Sequence, residues 1–266
     1  MLFKYQKCSN CETYYDPTLL ECPECHKNNE LYQQRKLNDK IAFMHPIAQL
    51  GLFLAGFGYG GMFVSEFLFA NIFQYLGDTL IFKTVVVSLA YLMMLLGLAC
   101  IILSTRRKIF FDKYKNLVTY IYGLGYALTL FFVSMILGNF ISIFHTVEAN
   151  NNQSIAELIA KTYPILAFFL FGFVGPICEE LTYRVGLYSF LRRINKYVAL
   201  IVSAIVFGLI HFDFDAKNIV NELWNLPSYI VSGVILALAY EHRGPACSMT
   251  AHVLYNIFAY IVMLVK

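Results

Sequence analysis

The sequence predicts an all-α, polytopic membrane protein that is preceded by a small polar segment. Of the 266 residues, 59% are hydrophobic and only 14% are charged. A water-soluble chain of this length would cover its surface with charged side chains, and this chain has too few of them. The composition therefore excludes a disordered chain, a DNA-binding domain and an ordinary water-soluble enzyme.

Two regions differ sharply in composition. Residues 1–40 are polar and hold four of the seven cysteines, whereas residues 41–266 alternate between apolar stretches and short polar loops. A transmembrane helix needs about 20 apolar residues, with a range of about 17–25. We therefore expect about seven spans, with six or eight as alternatives, because the last three stretches are short. The stretches lie near residues 46–73, 80–103, 117–144, 163–190, 198–213, 226–241 and 246–265.

Basic residues are concentrated in alternate loops. The loops 104–116 and 191–197 are rich in lysine and arginine, whereas the loops 74–79, 145–161 and 212–225 carry more acidic than basic residues. Lysine and arginine mark the cytoplasmic side of a membrane protein. The pattern predicts a multi-pass protein of the cell membrane with a cytoplasmic N-terminus and, after seven spans, a C-terminus outside.

The polar N-terminal segment carries two CxxC pairs, Cys8 with Cys11 and Cys22 with Cys25. Their separation of about ten residues lies within the range of compact zinc ribbons. Four thiolates leave no position for water, so such a zinc would be structural and would supply folding energy to a segment too short for a core. The alternatives are two disulfides, which a reducing cytoplasm disfavours, idle thiols, or an iron of the rubredoxin type. The ribbon can recruit a cytoplasmic protein, sense metal or cap the bundle, and its ordinary basic content predicts no nucleic-acid binding.

Ionisable side chains inside apolar spans are costly and are therefore candidate functional residues. Glu180 and Arg184 lie one helical turn apart and can form an ion pair. Glu179 is rotated by about 100° from Glu180 in a helix of 3.6 residues per turn, so its carboxylate can act separately as a base. The alternative is that these residues form only a polar seam between helices.

Two histidines and an amide lie on later spans. Phe207 precedes His211 by one turn, and His252 shares a helix face with Asn256. Counting about 1.5 Å per residue from the nearest basic loop gives depths of about 20–22 Å for Glu179, His211 and Asn256, and about 14 Å for His252. We expect these side chains in one layer of the bilayer, where they suit water activation and oxyanion stabilisation.

The ordered motifs EExxxR (Glu179 to Arg184), FxxxH (Phe207 to His211) and HxxxN (His252 to Asn256) resemble the CPBP family of intramembrane proteases. That family includes type II CAAX prenyl endopeptidases and abortive-infection or bacteriocin-processing proteins. The resemblance covers about residues 117–265, and it implies peptide-bond hydrolysis inside a helix bundle.

The resemblance also implies roles for individual residues. Glu179 would be the catalytic glutamate and would activate water together with His211, while His252 and Asn256 would form the oxyanion site. Arg184 would hold Glu180, as a supporting pair. The set Glu179, His211 and His252 can alternatively hold one catalytic zinc with an open position, and we prefer the metal-free mechanism.

Three functions compete at this point. The first is an intramembrane endopeptidase that acts in the lipid bilayer on a CAAX-type prenyl tail, a lipidated protein or a membrane-associated pre-peptide. The second is a non-catalytic membrane adaptor whose zinc ribbon binds a partner. The third is a proton-coupled transporter, which the lack of an internal sequence repeat disfavours.

Overall fold

A computed structural model of the chain describes residues 6–16, 19–29, 44–57, 67–69, 71–77, 79–105, 107–214 and 216–265. The boundary that the sequence predicts between the N-terminal segment and the bundle, at residues 40 and 41, lies outside these ranges.

The N-terminal segment contains a two-stranded antiparallel sheet of β1 (Gln6–Lys7) and β2 (Tyr14–Tyr15). An isolated bridge joins Glu21 to Asn28 in the second half of the segment. The buried apolar side chains in its described part are two of the four cysteines and Tyr15, so the segment has almost no apolar core of its own.

The rest of the described chain is helical. Its helices are α1 (Pro46–Gly56), α2 (Leu80–Ser104), α3 (Arg107–Asp112), α4 (Leu117–Ser142), α5 (Asn151–Thr162), α6 (Pro164–Arg192), α7 (Lys196–Leu209), α8 (Ile219–Arg243) and α9 (Pro245–Val265). A short 3₁₀ turn at Gln74–Leu76 precedes α2.

Within the described residues, five helices are long and apolar enough to cross a membrane, namely α2, α4, α6, α8 and α9. This confirms the all-α polytopic fold. Helices α1 and α7 coincide with predicted apolar stretches, but they have 11 and 14 residues, fewer than the about 17 that a span needs. Seven full spans are therefore not confirmed.

Polar caps explain several helix boundaries. The side-chain oxygens of four asparagines accept hydrogen bonds from backbone N–H groups in the first turns of α4, α5, α7 and α8: Asn116, Asn150, Asn195 and Asn218. Gly244 ends α8 with a φ of 80°, and Pro245 begins α9 directly after it. This tight turn fixes the relative direction of the last two helices.

Helix α6 lies at the centre of the bundle, and every residue from 180 to 189 is buried. Gly186 permits backbone contact with α1, because an added Cβ would lie 2.8 Å from the Phe53 nitrogen. Gly233 of α8 permits an equally close approach to α7, with an added Cβ 2.9 Å from the Ala204 Cα. Small residues at these crossings thus bring α6 close to α1 and α8 close to α7.

Helix α6 is not a regular α-helix. Leu170–Val174 and Glu180–Tyr188 form π-helical segments, which have wider turns and occur preferentially at functional sites. The rotation of about 100° per residue that the sequence argument assumed therefore does not describe the segment that begins at Glu180.

Candidate active site

A cavity of about 350 Å³ lies among helices α4, α6, α7, α8 and α9. Glu179 reaches it from α6, His211 from the turn after α7, and His252 and Asn256 from α9. Phe207 lines the same cavity. The structure thus brings together the four side chains that the sequence proposes as catalytic, although they come from three separate segments of the chain.

Glu180 lies behind this cavity rather than in its wall. Its Oε1 is 3.3 Å from Arg184 Nη1, and both side chains are only 1% exposed. The Arg184 guanidinium also lies 4.3 Å above the Phe207 ring centre, and its Nη2 donates to the Gly233 carbonyl at 3.4 Å. The expected ion pair is therefore present and connects α6 to α7 and α8.

His252 lies between the two glutamates. Its Nδ1 is 3.0 Å from Glu180 Oε1, and its Nε2 is 3.7 Å from Glu179 Oε2. A carboxylate only accepts hydrogen bonds, so we assign a proton to Nδ1. This contact between residues 72 positions apart was not part of the sequence prediction, which placed His252 with Asn256.

Glu179 is the carboxylate that faces the cavity. Among the residues that the structure describes, no donor forms a hydrogen bond with its buried Oε2. Buried polar atoms are nearly always hydrogen-bonded, so an exception is a candidate for a reacting group. The contact with His252 Nε2 at 3.7 Å is electrostatic and too long for a hydrogen bond.

His211 is fixed from both sides. Its Nδ1 lies 2.9 Å from the Phe207 carbonyl oxygen, which can only accept, so Nδ1 carries the proton and a neutral ring leaves Nε2 as an acceptor. The Tyr229 ring stacks on the imidazole at 4.3 Å with an angle of 16° between the planes. Asn150 Nδ2 lies 3.3 Å from the His211 carbonyl oxygen and 3.1 Å from the Tyr229 hydroxyl.

Asn256 donates from Nδ2 to the Phe171 carbonyl at 3.0 Å, and so contacts the first π-helical segment of α6. An amide nitrogen carries two hydrogens, so this bond leaves one for another acceptor. The contact holds the side chain at the wall of the cavity.

The sequence reasoning missed the contribution of α8. Asn225, Ser228, Tyr229 and Ser232 all line the cavity from this helix. Their spacing of three and four residues places them on one helix face, and such a polar stripe in an apolar helix was a usable signal. No comparable pattern identifies Asn150, whose contact with His211 spans 61 positions.

The four N-terminal cysteines form a second candidate site. Cys8 Sγ lies 3.6 Å from Cys25 Sγ, and Cys11 Sγ lies 3.5 Å from Cys22 Sγ. All four sulfur atoms lie within 4.8 Å of one another, and all are free thiols. Tetrahedral zinc with bonds of about 2.3 Å separates its sulfur ligands by about 3.8 Å, so the set fits zinc.

The two CxxC pairs have the same local fold. The Glu12 N–H donates to the Cys8 carbonyl at 3.0 Å, and the His26 N–H donates to the Cys22 carbonyl at 2.9 Å. Glu12 and His26 are also the described non-glycine residues with positive φ, at 62° and 55°. Two matching turns thus present their sulfur atoms to a common centre.

The thiols differ in acidity without a metal. A hydrogen bond from the Asn10 side chain lowers the pKa of Cys25 to about 6, whereas burial raises the pKa of Cys22 to about 11. Only thiolates bind zinc, so metal binding would release the proton of Cys22.

The intramembrane cluster has a different geometry. Histidine, cysteine, aspartate and glutamate are the side chains that commonly bind metals. In the described part of the chain, the four cysteines are the one group of three or more such side chains whose ligand atoms all lie within 4.8 Å of one another. The ligand atoms of Glu179, His211 and His252 are spread more widely. As arranged, these three side chains line the wall of the cavity.

Comparison with protein families matches residues 161–258 to the type II CAAX prenyl endopeptidase Rce1-like family. This region contains all three motifs, and the match confirms the family resemblance that they indicated. UPF0177 protein YvdC of Lactococcus lactis is 30% identical over 142 residues, which are 53% of this chain and 52% of that protein. The membrane-embedded CAAX protease MroQ of Staphylococcus aureus is 29% identical over 151 residues, 54% of this chain and 57% of MroQ.

An uncharacterised protein of Mycoplasma capricolum is 24% identical over 173 residues, 61% of this chain and 49% of that protein. The chain thus spans about half the length of the curated relatives that it matches. No solved structure matches the chain.

Proposed function

We propose that this chain, whose residues 161–258 match the Rce1-like family of type II CAAX prenyl endopeptidases, is an intramembrane endopeptidase. Its substrate would be a CAAX-type prenyl tail or a membrane-associated pre-peptide. The observation that carries the proposal is Glu179, a carboxylate in a polar intramembrane cavity whose Oε2 has no hydrogen-bond partner among the described residues.

In the proposed reaction, Glu179 accepts a proton from a water molecule as the water oxygen attacks the substrate carbonyl carbon. His211 presents Nε2 to the same water, because Nδ1 is engaged by the Phe207 carbonyl. The carbon–nitrogen bond then breaks, and the proton held by Glu179 passes to the leaving amine. General base catalysis of this kind contributes about 10²–10⁴-fold in rate.

The developing oxyanion needs hydrogen-bond donors. Asn256 supplies its second amide hydrogen, and His252 supplies Nε2–H when the ring carries two protons. The contact of His252 Nδ1 with Glu180 orients the ring, and Arg184 holds Glu180 in place. Glu180 and Arg184 therefore act by positioning His252.

The first experiment compares the wild type with Glu179→Gln and with Glu148→Gln, which alters an exposed carboxylate outside the cavity. The probes are a farnesylated CAAX peptide and a membrane-anchored pre-peptide, each with a fluorescence-quenching pair across the expected bond. We expect Glu179→Gln to lose at least about 100-fold in rate with an unchanged unfolding midpoint, and Glu148→Gln to match the wild type.

Cleavage by Glu179→Gln at the wild-type rate would refute the proposed role of this residue. A wild type that cleaves neither probe, with a ribbon that retains a protein partner, would favour the adaptor function instead.

Metal analysis tests the zinc mechanism. A second zinc that survives Cys8→Ser would assign metal-assisted hydrolysis to Glu179, His211 and His252.

We also propose that the N-terminus is cytoplasmic. The basic residues Arg192 and Lys196 lie at one end of the bundle, and both contact Glu241 near the end of α8. The positive-inside rule assigns this end to the cytoplasm. Labelling of a single engineered cysteine after Val265 by an impermeant maleimide in intact cells tests the assignment, and absence of labelling would reverse it.

A further inference from the structure

A second and larger cavity of about 700 Å³ lies beside the candidate active site, between α4, α5 and α9. We call it the lateral groove. Its apolar wall includes Met135 of α4 and Phe258 of α9, and its polar rim consists of Gln153, Glu157 and Lys161 of α5. The volume lies within the range of about 300–1,000 Å³ that is typical of ligand sites.

The lateral groove adjoins the catalytic cavity. Ser134, Gln153 and Tyr255 line both spaces. The Tyr255 hydroxyl donates to Ser134 Oγ at 3.2 Å, so α4 and α9 are joined by a polar contact where the two spaces meet. A chain that lies in the lateral groove therefore passes hydrogen-bonding side chains on its way to Glu179.

The lateral groove also faces the bilayer. Only 17% of the apolar window of α4 and 28% of that of α9 are buried inside the protein. Within the groove, Met135 is 47% exposed and Phe258 is 43% exposed. In a membrane, the exposed apolar sides of both helices would contact lipid, and the groove between them would open towards the bilayer.

The rim is held in a fixed position. Ile159 and Ala160 of α5 are fully buried against α6 and α9, and Asn150 caps the helix while it contacts the His211 carbonyl. Gln153 donates to Glu157 at 3.0 Å along the rim. The groove is therefore already formed, and its edge is tied to the residue that holds the catalytic histidine.

We propose that the lateral groove binds the apolar segment of a membrane-embedded polypeptide substrate, which enters sideways from the bilayer and places its scissile bond beside Glu179. This inference rests on the proposed endopeptidase function. A polypeptide fits better than a phospholipid, because the described rim carries one acid and one base and offers no cationic cluster for a phosphate. The amide and hydroxyl groups of Gln153, Ser134 and Tyr255 match the hydrogen-bonding needs of an extended peptide backbone.

Two glycines of α4 provide a matched test. A Cβ added at Gly138 or at Gly125 meets no atom within 4 Å, so a larger side chain fits at both positions. Gly138 lines the lateral groove, whereas Gly125 is equally exposed and lies outside it. We therefore compare Gly138→Phe with Gly125→Phe, and the unfolding midpoints should show that both variants fold.

Binding of a peptide in the lateral groove is measured without catalysis, by photo-crosslinking to the Glu179→Gln variant. The photoreactive residue p-benzoylphenylalanine replaces Phe258 in the groove or, as a control, Phe132 on the exposed face of α4. The probe is a synthetic peptide of about 20 leucine and alanine residues with a short polar tail, which spans a liposome membrane. We expect at least about fivefold more crosslinking from position 258 than from 132, and Gly138→Phe but not Gly125→Phe should abolish that excess.

Equal crosslinking from both positions, or an excess that survives Gly138→Phe, would overturn the inference. Crosslinking of position 258 to phospholipid rather than to the peptide would assign the groove to lipid and would also overturn the inference. Crosslinking needs no cleavage, so a negative crosslinking result does not affect the endopeptidase test. A negative cleavage result likewise leaves the crosslinking result interpretable.

Discussion

The buried pair of Glu180 and Arg184 makes a quantitative prediction about stability. Both side chains are 1% exposed, and their charged atoms are 3.3 Å apart. In Arg184→Met, an apolar chain of similar length replaces the guanidinium, and the Glu180 carboxylate remains buried in the bundle, 3.0 Å from His252 Nδ1. The variant therefore isolates the effect of a buried charge that has lost its cation.

Breaking a buried ion pair on one side costs about 3–5 kcal/mol, because the remaining charge stays desolvated. At about 2–4 °C per kcal/mol for a chain of this size, the unfolding midpoint should fall by about 6–20 °C. Replacing both partners, as Glu180→Leu with Arg184→Met, removes the unpaired charge. The free energy of unfolding of that double variant should lie within about 2 kcal/mol of the wild-type value. This difference includes the loss of the hydrogen bond between Glu180 and His252.

The measurement is thermal denaturation of purified protein in one detergent, followed by tryptophan fluorescence and by aggregation. Arg192→Met is the control, since Arg192 pairs with Glu241 but is 32% exposed. Loss of this partly exposed ion pair should lower the free energy of unfolding by about 1 kcal/mol. An Arg184→Met midpoint equal to that of Arg192→Met, or a double variant less stable than Arg184→Met, would refute the reasoning.

Three further predictions concern other parts of the chain. The wild type should contain roughly one zinc per chain by mass spectrometry, and Cys8→Ser/Cys11→Ser roughly none, because four thiolates hold the metal; retention of zinc would contradict the ribbon assignment. Gly186→Ala places a Cβ 2.8 Å from a backbone nitrogen of α1 and should lower the free energy of unfolding by about 1–3 kcal/mol. The Cβ of Gly125→Ala meets nothing within 4 Å, so this variant should leave the free energy of unfolding unchanged. Tyr229→Leu removes the ring stacked on the His211 imidazole and, under the proposed function, should lower kcat roughly tenfold with the unfolding midpoint unchanged; a fall in the midpoint alone would indicate a purely structural role.

Local sequence spacing was sufficient to identify features that arise within one short segment of the chain. The i,i+4 spacing of Glu180 and Arg184 predicted their ion pair, and the difference in direction between Glu179 and Glu180 appears in the structure as one cavity-facing and one enclosed carboxylate. The CxxC pattern likewise predicted four thiols around one centre. In each case the contacts follow from short-range geometry.

Features set by tertiary contact could not be predicted in this way. The bond between His252 and Glu180 joins residues 72 positions apart, and nothing in either motif indicates it. The sequence predicts a loop over most of the length of helix α5, because the polar residues of this segment give it a low hydropathy. Yet Ile155 and Ile159 form an apolar face that packs against α6 and α9.

The start of α8 shows the same limitation. The apolar stretch begins near residue 226, but the helix begins at Ile219, seven residues earlier. Its polar first turns are held by distant partners, since Asn221 Oδ1 accepts from the Glu148 N–H at 2.9 Å and Glu222 accepts from the Asp213 N–H at 3.2 Å. A hydropathy window cannot register such bonds.

The π-helical segment Glu180–Tyr188 makes the length of α6 a functional constraint in its own right. A one-residue deletion within residues 185–188 would let the segment relax to α-helical turns, which hold fewer residues. Within the relaxed segment, the Arg184 side chain would turn relative to Glu179 and would leave its contacts with Phe207 and Gly233. Such a deletion would preserve all three motifs and still disable the protein. In an engineered library, tolerance of substitution and tolerance of deletion should therefore diverge most strongly in this segment.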